Sequence, residues 1–206
     1  MLADKPLRDL VAAFASNDPT PGGGSASSLA SAVGAALLMM VATLPKSRSN
    51  AEEDRIALQG AVAALAPLRE QLLDSIDADA GAYDQVVAAY RLPKTSADEQ
   101  QARKYSIQQA LKGATDVPLR VMRLSVEALT HAAVVAGHGH RAASSDIGVA
   151  ALLLRAGATG AGLNVEVNLG SIDDKTYGDA VRSEVASLMS GVTRSVEAVE
   201  AELARI

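Results

Sequence analysis

Apolar residues recur every three or four positions along almost the whole chain, the period of helices and not of strands. Residues 4–15 predict a short amphipathic helix with Leu7, Leu10, Val11 and Phe14 on one side. An uncharged run, 26–44, predicts a helix of small and apolar residues that Pro45 stops. A polar connection, 46–50, leads into a long helix over about 51–90. Its stripe passes through Leu58, Val62, Leu65, Leu72, Ile76, Tyr83, Val86 and Tyr90, and two positions on it, Arg69 and Asp79, break its chemistry. After a turn at 92–96, Ser96 and Glu99 have the spacing of a capping box. A second long helix covers about 97–136, with Pro118 expected to kink or interrupt it. Residues 137–141 read as a loop. Ser144 or Ser145 is expected to cap a helix reaching about 168, and a last helix from about 173 buries Val181, Val185, Leu188, Val192 and Val199. The fold class expected is all-α: one domain over 1–206, an antiparallel bundle of five or six helices, two of them long.

Composition narrows the chemistry. The 206 residues contain no Cys, no Trp, one Phe and four Tyr, which excludes disulfides, thiolate catalysis and Cys-based metal sites. A formal charge of −5 argues against non-specific nucleic-acid binding. Residues 1–5 show no basic region followed by an apolar core, so a cytoplasmic protein is expected. The run 26–44 would span about 29 Å as a helix, long enough for a bilayer. It is built mainly of Ala, Ser and Gly, however, and Ala26, Ala30 and Gly34 recur every four residues. That pattern predicts a buried helix at the centre of a bundle or dimer, not a membrane span. Because the run is too apolar for a monomer's surface, a homodimer is expected.

Candidate chemistry gathers at few places. Pro19-Thr20-Pro21-Gly22-Gly23-Gly24-Ser25 opens into the small-residue helix. Its glycines permit positive φ and close approach to the backbone, and the helix start offers unpaired N–H groups to an anion or polarised carbonyl. The alternative is a tight turn that lets the helix pack closely on a neighbour. Asp79 continues the buried stripe, where desolvation would raise its pKa towards the range useful for acid–base work; the other readings are a helix curved or rotated so that Asp79 reaches solvent, or a structural hydrogen bond between helices. Tyr83 lies one turn on. Asp146 falls in the first turn of its helix, where an acidic residue also suits the dipole. From it a face continues through Ala150, Leu153, Gly157 and Gly160 to Asn164 and Asn168, two amides one turn apart that suit a polar heterocycle or a bridge between helices. His131, His138 and His140 lack ligand spacing, so no metal site is expected.

These motifs, in this order, resemble the cyclodeaminase/cyclohydrolase family over nearly the whole chain. The glycine turn is similar to its signature, Asp77-Ala78-Asp79-Ala80-Gly81-Ala82-Tyr83 to its Asp-rich segment, Leu92-Pro93-Lys94 to the following turn, and Val117-Pro118-Leu119 to its Val/Ile-Pro-Leu. Ser145-Asp146-Ile147-Gly148 and Leu163-Asn164-Val165-Glu166-Val167-Asn168 resemble its last two motifs. The chain departs from the family pattern at 45–50 and at 139–142. The resemblance implies an all-α dimer acting on one-carbon folates near the glycine turn and the subunit interface. The activity expected is hydrolysis of 5,10-methenyltetrahydrofolate to 10-formyltetrahydrofolate. Cyclodeamination of 5-formiminotetrahydrofolate and a non-catalytic folate-binding protein are the alternatives. No cofactor is expected beyond the tetrahydrofolate substrate. Asp79 and Asp146 are the expected acid–base residues. Pro21, Gly22, Gly23, Gly24, Ser25, Tyr83, Asn164 and Asn168 are expected to bind substrate, with Arg48 or Lys46 meeting its glutamate tail.

Overall fold

The computed structural model describes residues 1–205 and contains six α-helices: α1 Leu7–Phe14, α2 Gly23–Ala42, α3 Glu52–Tyr90, α4 Ala97–His138, α5 Ser144–Leu169 and α6 Lys175–Leu203. A single 3-10 turn, Arg141–Ala143, joins α4 to α5. The only β pairing among the described residues is an isolated bridge between Ser47 and Gly139. The all-α expectation therefore holds, and its two long helices are α3 and α4.

Small side chains determine how α2 and α5 meet. They run antiparallel, so Gly23 faces Asn164 at one end while Gly34 faces Ala150 and Leu154 towards the other. A Cβ on Gly34 would sit 2.8 Å from Leu154 Cγ, one on Gly160 2.5 Å from Ser27 Oγ, and one on Gly157 would overlap Ser31 Oγ. The serines of this seam are buried yet satisfied: Ser27 and Ser28 donate to the carbonyls of Gly23 and Gly24, and Ser31 Oγ lies 2.7 Å from Ser125 Oγ. Leu38, Leu65, Leu72, Ile76, Met122, Leu129 and Leu154 are enclosed in the main core. A smaller cluster of Ala89, Ile107 and Leu111 holds the outer part of the α3–α4 hairpin, whose α4 starts with the expected Ser96–Glu99 capping box.

Several local expectations are corrected. α4 is continuous through Pro118, so the proline does not interrupt it. Proline removes the N–H that would bond the Ala114 carbonyl, and Asn168 Nδ2 donates to that carbonyl at 2.8 Å instead. The glycines of the turn are themselves the first turn of α2, which begins at Gly23, and no glycine has a positive φ. Neither Ser144 nor Ser145 caps α5; the His140 side chain accepts from Ala142 N at the 3-10 turn. α2 is buried on one side only, with Ala26, Val33 and Met40 exposed on the other. By length and composition two helical segments, Gly23–Ala42 and Arg141–Leu169, could cross a membrane, with mean hydropathy 1.7 and 1.3. In this fold each packs one face into the bundle.

Candidate active site

The first turn of α2 needs help from outside. Its N-cap is Gly22, which has no side chain to offer. The carboxylate of Asp79, arriving from α3, takes that role: Oδ2 accepts from Ser25 N at 2.8 Å and from Ser25 Oγ at 3.0 Å. Oδ1 lies where a Cβ on Gly24 would be. Close approach, and not positive φ, is the reason for glycine here. Burial pushes the Asp79 carboxyl above the usual carboxylate range, and the two Ser25 hydrogen bonds oppose this in part.

Around Asp79 lies a cleft of about 300 Å³. Its walls are the α2 start (Gly22, Gly23, Gly24), α3 (Tyr83, Val86), α4 (Leu111, Ala114) and the end of α5 (Asn164, Asn168), with Pro19 and Thr20 at the approach. Both amides are held by backbone. Asn164 Nδ2 donates to the Gly160 carbonyl at 2.8 Å, and Asn168 is the residue that replaces the Pro118 N–H. Each keeps an oxygen and a second N–H for a ligand. The N–H groups of Gly23 and Gly24 have no hydrogen-bond partner among the described residues. Tyr83 lines the cleft and is 41% exposed. Asp79 is the only charged residue of the lining, so the cleft joins one proton-accepting carboxylate to amide donors and acceptors and apolar walls.

Of the expected site residues, Gly22, Gly23, Gly24, Asp79, Tyr83, Asn164 and Asn168 come together. Pro21 is buried beside the cleft, while its neighbours Pro19 and Thr20 line it. Ser25 is fully buried and faces Asp79 instead of the opening. Two residues lie elsewhere. Asp146 begins the same continuous helix that carries Asn164, 18 residues on, so about 27 Å separates them. Arg48 follows the far end of α2, where Nη1 donates to the Gly137 carbonyl at 3.0 Å and lies 3.7 Å from Glu202. Within one chain neither reaches the cleft.

That far end holds a network the sequence spacing did not suggest. Asp54, buried in the first turn of α3, accepts from Ser49 N and Oγ at 2.7 Å each, from Ser47 Oγ at 3.0 Å and from His138 Nδ1 at 2.9 Å. The His138 and serine hydrogen bonds hold its carboxyl well below the usual range. His138 and Asp54 are 84 positions apart, and only the fold joins them. A larger groove of about 530 Å³ lies alongside, lined by Leu44, Pro45, Leu58 and Val62, with Glu52 and Arg55 paired to each other at its rim. Glu52 and Arg55 are the only charged residues of its lining. No group of three His, Asp or Glu side chains among the described residues is placed to hold a metal ion.

An all-α bundle with one half-buried carboxylate at a glycine helix start defines a narrow class of proteins. The chain belongs to the formiminotransferase-cyclodeaminase family, whose model matches residues 6–187. It is 37% identical to the methenyltetrahydrofolate cyclohydrolase of Methylorubrum extorquens, over 92% of this chain and 91% of that protein. It is 31% identical to the formimidoyltransferase-cyclodeaminase of Gallus gallus, but spans only 35% of that longer protein. The crystal structure of formiminotetrahydrofolate cyclodeaminase from Thermotoga maritima superposes with a TM-score of 0.87 at 27% identity, covering 98% of both chains.

Proposed function

We propose that this protein hydrolyses 5,10-methenyltetrahydrofolate to 10-formyltetrahydrofolate, with the Asp79 cleft as the active site. The observation that carries the reading is the half-buried Asp79 carboxylate facing a cleft of amides and bare backbone N–H groups. The end-to-end similarity to the Methylorubrum extorquens cyclohydrolase supports the same reading. The methenyl carbon is already a cationic amidinium, so it needs an oriented water and a base more than further activation. Asp79 takes a proton as water adds to that carbon. The bond from carbon to N5 then breaks, N5 keeps its electron pair and gains a proton, and the formyl group stays on N10. The net release is one proton. Asn164 and Asn168 meet donors and acceptors on the pterin edge, Tyr83 stacks on an aromatic ring, and the Gly23 and Gly24 N–H groups receive a substrate oxygen.

Loss of the near-ultraviolet absorbance of methenyltetrahydrofolate on adding purified protein tests the reading directly. No acceleration over buffer overturns it. The second reading, cyclodeamination of 5-formiminotetrahydrofolate, is favoured by the fit to the Thermotoga maritima structure. Ammonia release from that substrate, with no opening of the methenyl compound, would establish it instead.

We further infer a homodimer through the face that α2 and α5 share. Ala26, Val33 and Met40 on α2 lie beside Val149, Leu152, Leu163 and Val167 on α5, and all are exposed in the single chain. So extended an apolar surface needs a cover, and a second copy of the same face supplies one of matching character.

A further inference from the structure

Ser25 has one hydroxyl hydrogen and two acceptors. Its Oγ lies 2.9 Å from the Ile76 carbonyl and 3.0 Å from Asp79 Oδ2. Both oxygens belong to α3, one turn apart, so the hydrogen can pass from one to the other by rotation about a single bond. The Ser25 N–H, in contrast, is fixed on Oδ2 at 2.8 Å. Oδ2 thus receives both of its donors from one residue, whereas Oδ1 makes no hydrogen bond and stays open to the cleft. The Ile76 carbonyl has a second lone pair beyond the one used in the helix.

We propose that Ser25 is a two-position donor that governs the protonation of Asp79. Its hydroxyl holds Oδ2 while the carboxylate is charged and turns to the Ile76 carbonyl when the carboxyl is neutral, leaving Oδ1 to exchange protons with the cleft. Ser25 keeps its own proton throughout; only the direction of its O–H bond changes. A charged acceptor binds a hydroxyl more strongly than a neutral one, so the preferred partner follows the charge. Burial raises the proton affinity of Asp79 and the Ser25 donors lower it, so the residue opposes the effect of desolvation on the base. Ser25 is itself enclosed and does not line the cleft, which makes it a positioning residue.

The inference rests on the assignment of Asp79 as the base, and two measurements keep the two ideas apart. The first is a carboxyl-carbon NMR titration of Asp79 in protein labelled at aspartate, with the signal assigned by its loss in Asp79→Asn. The second is the pH dependence of kcat on methenyltetrahydrofolate. In Ser25→Ala the Asp79 titration is expected to move to higher pH, and the acid limb of kcat to move with it. Relative rates on the acid side then fall about tenfold, the worth of one charge-assisted hydrogen bond. Ser25→Cys keeps the volume with a weaker donor and should fall between the two. An unmoved titration in Ser25→Ala overturns the proposal. A titration that moves while the kcat limb stays leaves Ser25 as inferred and removes Asp79 from the base role. Should the alanine protein fail to fold, the cysteine variant decides by the same criteria.

Discussion

Asp79 Oδ1 occupies the position that a Cβ on Gly24 would need, so the carboxylate and the glycine are a matched pair across α3 and α2. Gly24→Ala must therefore either displace the carboxylate from Ser25 or push the start of α2 away. A stability loss of about 1–3 kcal/mol is expected from such overpacking, together with near-complete loss of turnover in the protein that still folds. Gly23→Ala is a contrasting control. Its Cβ would meet Asn164 Nδ2 at 3.3 Å, a tight contact with an atom held by the Gly160 carbonyl, and its φ is ordinary, so its melting temperature should change far less than that of Gly24→Ala while folate binding weakens. Thermal melts and equilibrium folate titrations of the two proteins separate packing from binding.

Asp79→Asn is expected to lower kcat by about 10²–10⁴-fold, because an amide fills the same space but accepts no proton at neutral pH. The same change should not cost stability. A carboxyl whose folded pKa is raised favours the fold below its unfolded pKa and loses that contribution as pH rises through the folded value. Once ionised, the group is on the unfavourable side, so at pH values above the folded one Asp79→Asn should melt no lower than wild type. Melting temperature and turnover per folded molecule, measured together, check both halves.

Asp54 has the opposite sign. Its carboxyl is held low by His138, Ser49 and Ser47, so its contribution is full above the unfolded value of about 4 and is lost as pH falls through the folded one. His138→Ala should destabilise the protein at pH 7, and the difference from wild type should shrink as the buffer is taken below about pH 4. Chemical denaturation at several pH values measures it.

Pro118→Ala returns an N–H to the Ala114 carbonyl and so competes with Asn168 for it. The fold should tolerate this or gain stability, as α4 is otherwise continuous, while KM for the folate rises because Asn168 loses its anchor. An unchanged KM would mean that Asn168 is held by its surroundings alone.

Leu152→Glu places a charge in the exposed apolar face and should convert a dimer into a monomer of about half the mass, with the helical content intact. Light scattering of wild type and variant at the same concentration gives the answer.

The helices could be read from the stepping of Leu58, Leu65 and Leu72 and from the Ser96–Glu99 box, because both signals are local. Asp79 was visible as a polar residue on an apolar stripe, and Asn164 and Asn168 as amides one turn apart. What joins them was not visible. Ser25 and Asp79 are 54 positions apart, and so are Ala114 and Asn168. Local periodicity carries no information on such pairings. Asp146 was grouped with the site by the face and motif it shares with the amides, and Arg48 by the resemblance; the length of α5 separates the first, and the position of the second beyond the far end of α2 separates it too. Val86 stood on the apolar stripe of α3 as a core position, yet it lines the cleft together with Leu111 and Ala114 of α4, where α2 starts and α5 ends.

The interlocked glycines and serines between α2 and α5 have a mechanical consequence. Ser31 against Gly157 and Ser27 against Gly160 act as teeth that prevent one helix from sliding along the other. Two walls of the cleft, the first turn of α2 and the last turns of α5, therefore form a rigid jaw with a fixed gape. The opposing wall carries Tyr83, Val86 and Leu111 on a hairpin held by the smaller cluster of Ala89, Ile107 and Leu111. The Asp79–Ser25 and Asn168–Ala114 hydrogen bonds tie that hairpin to the jaw, so Asp79 and the amides keep their spacing across the cleft.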